Sequence, residues 1–184
     1  MRVLFLSNIE TAILDIVAWL IFHLSIGYLS SRIPIEHFNP DDSWYQTKSW
    51  EKDGEIYQKI FYVKSWKSLI PSGAALFPNA YEIKYLTDLS IENVRIWIKE
   101  SCRSEFCHFA MIVPGFFFYL WNNVETGTWM VVYAILNNLV PIVMQRYNRP
   151  RVRKVLAHLE RKSKQNSEIA ISYEPQSLLL NSYK

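Results

Sequence analysis

The sequence predicts an all-α integral membrane protein with about three hydrophobic spans and an amphipathic helical interfacial region between the first and second. Three observations lead there. Apolar residues make up 50% of the 184-residue chain and fall in blocks instead of at the spacing of a soluble fold. The mean hydropathy of −0.02 conceals this, because charged stretches average against the blocks. The 20 Lys and Arg residues lie almost entirely in 32–103 and 146–184, next to the apolar blocks. In that setting a basic cluster fits an anionic membrane surface and not nucleic acid.

The first block, Ile9 to Leu29, is long enough to cross a hydrocarbon core of roughly 30 Å as a helix. It exceeds the apolar length of a signal peptide, and Leu29-Ser30-Ser31-Arg32 lacks a small-x-small cleavage site, so it reads as an anchor. From Trp50 to Leu69, Trp50, Ile56, Tyr57, Ile60, Phe61, Tyr62, Val63 and Trp66 interleave with Lys52, Lys59, Lys64 and Lys67. That mixture predicts amphipathic helical structure in the headgroup layer, ended by Pro71-Ser72-Gly73. Ser90 reads as an N-cap, with Glu92 in the first turn and Ile91, Val94 and Ile98 on one helical face.

The second span, Cys107 to Trp121, is short and interrupted by Pro114-Gly115. A third, Trp129 to Met144, carries Asn137, Asn138 and Pro141, which predict contacts to protein more than to lipid. A basic helix, Arg149 to Lys164, follows, and 165–184 is expected as a loosely ordered polar tail. Basic residues crowd 32–106 and the tail, whereas Asn122 to Thr128 has none, so the N-terminus is expected outside and the loop and tail in the cytoplasm. Cys102 and Cys107, five apart on one predicted helix, point to different faces and imply no disulfide.

Several polar residues have the chemistry of a site. Glu105 and His108 are three apart, so a helix brings them to one face, where a carboxylate orients an imidazole that acts as general base. Ordinary polar residues at an interfacial helix end are the plainer explanation. Asp15 and His23 lie inside the first span, where an ionisable group marks a functional site or a buried partner. Cys102 or Cys107 offers a nucleophile in principle, with a buried structural role as the simpler reading. Gln145-Arg146-Tyr147-Asn148-Arg149-Pro150-Arg151 brings guanidinium forks suited to phosphate or carboxylate to the end of a span, where a stop-transfer cluster is the simpler account. No spacing matches a metal-ligand pattern.

This arrangement resembles the glycosyl-diaponeurosporenoate acyltransferase family, membrane enzymes of the last step in making the carotenoid pigment staphyloxanthin. The likeness covers roughly Thr11 to Leu159. It is carried by Trp19-Leu20-Ile21, Arg32-Ile33-Pro34, Glu51-Lys52 with Gly54, Phe61-Tyr62-Val63-Lys64, Trp66-Lys67, Glu100, Arg103, Glu105, His108, Val140-Pro141-Ile142 and the 145–151 run. It does not extend to Asp15 and His23 as an acid and a histidine, to the tail beyond Glu160, or well to 74–89.

The resemblance implies a single acyltransferase-like membrane domain over 1–164. Its activity would be esterification of a sugar hydroxyl of a glycosylated C30 carotenoid acid by a fatty acyl group. It implies no cofactor beyond a fatty acyl thioester as co-substrate, and lipid-like partners dissolved in the cell membrane. On the matched positions, chemistry assigns His108 to deprotonating the hydroxyl and Glu105 to orienting it. Arg103, Glu100, Trp66, Lys67, Arg146, Asn148 and Arg149 become the residues expected to bind substrate or stabilise developing negative charge. Three other readings are a non-catalytic lipid-binding subunit, an acyltransferase of another glycolipid, and a small transporter using Asp15 and His23.

Overall fold

The computed structural model describes residues 3–73 and 81–181, with side chains through residue 169. Part of the poorly matching 74–89 stretch, residues 74–80, and the last three residues of the expected tail therefore lie outside the described residues. Every regular element among the described residues is helical.

Ser7 starts the first helix. Its side chain accepts the Glu10 N–H and the Glu10 carboxylate accepts the Ser7 N–H, a reciprocal cap after which α1 runs from Asn8 to Arg32. Short 3-10 turns follow at Ile35–His37 and Ser49–Glu51. Lys52, Asp53 and Gly54 then take left-handed φ of 48°, 54° and 80°. At Gly54 a Cβ would sit 2.9 Å from the Arg146 carbonyl oxygen, so the absent side chain lets the loop touch the long C-terminal helix.

The expected interfacial region is two short helices, α2 (Glu55–Phe61) and α3 (Val63–Trp66). Tyr62, at φ 51°, separates them, so the apolar residues here do not share the single face of one continuous helix. Trp50, Ile60, Phe61, Tyr62 and Leu69 are exposed, whereas Tyr57 and Val63 pack on Val143 and Tyr147.

Ser90 caps α4 (Ile91–Ile112) through the Asn93 N–H, as the sequence predicts, and Val94, Trp97 and Ile98 are buried. From Val113 to Leu120 the chain is 3-10 helix, with Pro114 in its first turn. Gly115 lies against Ala134, whose Cβ would be 2.9 Å from an added Cβ, so the small residue permits close approach. The second apolar block is thus the end of α4 plus a 3-10 segment, not one apolar α-helix. The third block opens a much longer helix, α5, running from Val124 to Asn181, and residues 165–181 continue its backbone.

Three arms pack side by side. Running antiparallel to 91–120, α1 brings Ala18 onto Phe118 at one end, while at the other the Arg103 guanidinium donates to the Ser31 and Ile33 carbonyls. Antiparallel again, α5 places Asn138 beside His108, Gln145 beside Ser104, and Val152, Leu156 and Leu159 against Val94, Trp97 and Ile98.

Two helices among the described residues are long and apolar enough to cross a membrane: Asn8–Arg32 and the Val124–Ile169 part of α5. Only 17% and 28% of their most apolar windows are buried, unlike the core helix of a soluble protein. Ile13, Ile16, Leu20, Leu24, Phe116, Phe117, Leu136 and Leu139 all face outward. An exposed apolar surface of this extent suits lipid.

Candidate active site

The site grows from the polar side chains that α4 and α5 turn toward each other. Glu105, fully buried, accepts from Arg146 Nε and Arg149 Nη2, each at 2.6 Å. Arg149 also donates to the Ser101 hydroxyl at 2.6 Å, the Ser101 carbonyl at 2.9 Å and the Tyr45 carbonyl at 3.1 Å. Arg146 reaches the carbonyls of Trp44 and Gln46 and lies 3.5 Å from the Glu51 carboxylate. Glu51 in turn accepts from the Tyr57 hydroxyl and the Lys48 N–H.

This network ties the 44–57 segment to the facing sides of α4 and α5. Burial pushes the Tyr45 phenol up to about 12, and burial together with Glu51 holds the Tyr57 phenol well above its ordinary value. Both phenols are therefore neutral at neutral pH, and that of Tyr57 donates to Glu51.

The carboxylate expected to orient His108 is thus bonded to two arginines, and the imidazole has another partner. His108 Nδ1 is 2.9 Å from Asn138 Oδ1. The Asn138 amide nitrogen donates to the Ala134 carbonyl at 2.9 Å, so its oxygen faces the ring, and Nδ1 must carry the proton. Nε2 is then left with its lone pair, the form a general base requires.

His108 lines a cavity of about 280 Å³ between 67–73, Ile83, Lys84, Tyr85 and the facing sides of α4 and α5. Lys67, Ser104, Gln145 and Asn148 supply polar groups, while Ile70, Pro71, Pro141 and Met144 supply apolar ones. Gln145 Nε2 donates to the Ser104 hydroxyl at 3.4 Å, and its buried Oε1 has no partner among the described residues. Lys67 Nζ donates to Asn148 Oδ1 at 3.4 Å, which leaves the Asn148 amide nitrogen as a donor. Burial, with Arg151 and Lys64 nearby, lowers the Lys67 ammonium pKa.

Three of the residues expected from the sequence, His108, Lys67 and Asn148, therefore meet at one cavity. Arg146 and Arg149 do not join them, because their donors are engaged by Glu105, Glu51, Ser101 and loop carbonyls. Arg103 and Glu100 pair with each other at α4, and Arg103 also binds the end of α1. Trp66 packs on the Tyr57, Val63, Val143 and Tyr147 cluster and donates to the Phe61 carbonyl.

Asp15 and His23 separate. Asp15 accepts from Trp121 Nε1 at 2.7 Å and Asn122 Nδ2 at 2.8 Å, which fixes the far tip of the 91–120 arm to α1. His23 bonds the Trp19 carbonyl through Nδ1, and its buried Nε2 has no partner among the described residues.

Cys102 is fully buried, and burial pushes its thiol up to about 11, so it is not a thiolate at neutral pH. Among the described residues no three His, Cys, Asp or Glu side chains gather as a metal site. Ser104, Asn138, Gln145 and Lys84 were not anticipated as site residues. A signal existed for two of them, since positions 138, 141, 145 and 148 repeat at helical spacing along one stripe of α5.

The model of the glycosyl-4,4'-diaponeurosporenoate acyltransferase family matches residues 41–158, the stretch that contains this cavity and the buried network. The chain belongs to this family. Three relatives of that name from Staphylococcus aureus extend the likeness. The one from strain MRSA252 is 33% identical over 158 residues, covering 86% of this chain and 95% of the relative. Those from strains Newman and N315 are 32% identical with the same coverage. No solved structure matches. The protein is an acyltransferase of this carotenoid pathway.

Proposed function

We propose that the protein esterifies a sugar hydroxyl of a glycosylated C30 carotenoid acid with a fatty acyl group from a thioester, at the cavity around His108. The observation that carries this reading is the Asn138-fixed imidazole in a half-apolar cavity. His108 Nε2 takes the hydroxyl proton as the sugar oxygen attacks the thioester carbonyl. The carbonyl oxygen becomes an oxyanion, for which the Asn148 amide is a suitable donor. Collapse of the intermediate forms the ester, breaks the carbon–sulfur bond, and returns the proton from His108 to the leaving thiolate. Gln145 Oε1, buried and without a partner among the described residues, suits a second sugar hydroxyl.

The reading places the protein across the cell membrane, with its N-terminus outside and 32–106 and the C-terminal tail in the cytoplasm. Exposed apolar side chains on α1, 113–120 and the first part of α5 support it. So does the length of 107–120, since six α-helical and eight 3-10 residues rise roughly 25 Å, near the thickness of a hydrocarbon core. Exposed Trp44, Trp50, Phe61, Tyr62 and Leu69 suit the headgroup layer on the cytoplasmic side. Both carotenoid and acyl chain then reach the cavity from the bilayer.

The test is expression of the full chain in a host that accumulates the glucosylated C30 carotenoid acid, followed by mass spectrometry of extracted pigment. A mass gain of one fatty acyl group is expected. A well-inserted protein that produces no gain removes this carotenoid as acceptor and turns attention to other glycolipids.

A further inference from the structure

The cavity is small for a carotenoid. At about 280 Å³ it lies below the roughly 300–1,000 Å³ of pockets that enclose a drug-sized ligand. A C30 polyene is itself drug-sized, so the cavity takes a sugar ring and the reacting ends but not the chain. Tyr85 in the cavity wall is exposed, as is Leu69 between the lining residues Ser68 and Ile70, so the cavity opens toward an apolar exterior. The polyene then lies in lipid. Apolar contacts tell one chain from a slightly different one by only about 10–200-fold, whereas polar groups built to bond a hydroxyl reject its absence far more strongly.

Directional recognition inside the cavity falls to Ser104 and Gln145. Among the described residues two buried side-chain polar atoms have no hydrogen-bond partner, His23 Nε2 and Gln145 Oε1, and only the second belongs to a residue of the cavity wall. Gln145 is 3% exposed, and its amide nitrogen donates to the Ser104 hydroxyl oxygen at 3.4 Å. Exchanging the amide nitrogen and oxygen would not remove the deficit, because the buried NH2 would then lack an acceptor. Ser101, on the same helix, turns its hydroxyl back to the Ile98 carbonyl at 2.7 Å, whereas the Ser104 O–H has no acceptor among the described residues. The pair therefore sets one free donor beside one free acceptor, the complement of a hydroxyl, which accepts one bond and donates another. Ser104 lies one helical turn from His108, about 6 Å along the axis, so the hydroxyl it holds is not the one that His108 deprotonates. Two hydroxyls at a fixed separation describe a sugar and not a simple lipid alcohol.

We propose that the protein selects its acceptor by the sugar and not by the polyene: Ser104 and Gln145 clamp one ring hydroxyl while His108 activates another, and the carotenoid chain stays outside the cavity. The proposal rests on the acyl-transfer reading and specifies how the acceptor is recognised. A membrane glucoside with an unrelated apolar tail is then also a substrate.

Full-length wild type, Gln145→Met and Ser104→Ala are compared in nanodiscs with palmitoyl-coenzyme A as donor. The acceptors are the glucosylated C30 carotenoid acid, octadecyl glucoside in both anomeric forms, and octadecyl glucosides that each lack one sugar hydroxyl. Wild type is expected to use one anomer of octadecyl glucoside with a kcat/KM within about a hundredfold of that for the carotenoid glucoside. One deoxy acceptor, lacking the reacting hydroxyl, takes no acyl group from any enzyme. A second should lose about ten- to a hundredfold in wild type, and the ratio of full sugar to this analogue should fall toward one in Gln145→Met, which keeps the side-chain length without the amide, and fall in Ser104→Ala. Each ratio compares acceptors within one enzyme, so a smaller folded fraction cancels. Rejection of both octadecyl glucosides by wild type, or ratios that neither substitution changes, overturns the proposal.

Binding of radiolabelled octadecyl glucoside to the same nanodiscs separates this proposal from the transfer reading. If wild type acylates no acceptor, the transfer reading fails. Glucoside binding that Gln145→Met and removal of one sugar hydroxyl both weaken still supports the sugar clamp, and binding that is equal in every case overturns it.

Discussion

Replacing Glu105 by Gln tests whether that residue holds the structure together or takes part in chemistry. In the native protein its carboxylate is fully buried between Arg146 Nε and Arg149 Nη2, each at 2.6 Å. The amide keeps the volume but removes the charge and turns one NH2 toward a guanidinium donor. Two largely buried cations then lose their shared counterion, although Arg146 still has Glu51 at 3.5 Å. Breaking one side of a buried ion pair costs about 3–5 kcal/mol. The residual Glu51 contact argues for the lower end, about 3 kcal/mol, roughly 6–12 °C in Tm for a chain of this size. Thermal unfolding of purified protein in detergent, followed by tryptophan fluorescence, measures this. A double-mutant cycle with Arg149→Met should show strong coupling. A Glu105→Gln protein with unchanged Tm and strongly reduced transfer would refute the structural assignment and return Glu105 to the chemistry.

Other expectations follow from the same geometry. Asn138→Ala removes the acceptor that fixes the His108 tautomer, and kcat should fall about ten- to a hundredfold, with Tm lowered far less than in Glu105→Gln; an unchanged kcat contradicts the tautomer assignment. Gly54→Ala adds a Cβ 2.9 Å from the Arg146 carbonyl oxygen at φ 80°, and should destabilise by about 1–3 kcal/mol in the same unfolding assay. Cys102, its thiol raised to about 11 by burial, is protonated at pH 8, so iodoacetamide should leave it unlabelled at that pH in intact membranes and Cys102→Ala should retain transfer. Rapid labelling, or loss of activity in that variant, would restore the thiol as a candidate nucleophile.

What the sequence discloses and what it hides follow from the range of the interactions. The α1 helix and the Ser90 cap depend on neighbours within a few residues, and their limits are legible. Glu105 is the opposite case. Its spacing to His108 permits a local pair, but two guanidiniums from residues 41 and 44 positions away occupy the carboxylate. In a low-dielectric interior a carboxylate gains more from two cations than from a neutral imidazole. Pro114-Gly115 does signal an irregular second block, yet the close approach of Gly115 to Ala134 is made to another helix, 19 residues further on. The stripe of Asn138, Gln145 and Asn148 is visible as helical spacing, although its partner His108 lies 30 residues earlier than Asn138, beyond the reach of a local pattern.

The most direct measurement is the single-turnover rate of acyl transfer by purified wild type and His108→Ala at equal folded concentration, with Tm determined for both. The cavity is the seat of the reaction if the variant keeps its Tm and loses transfer by a factor of about 10²–10⁴, the usual contribution of a general base. A variant that folds normally and transfers at the wild-type rate would place the chemistry elsewhere in the chain.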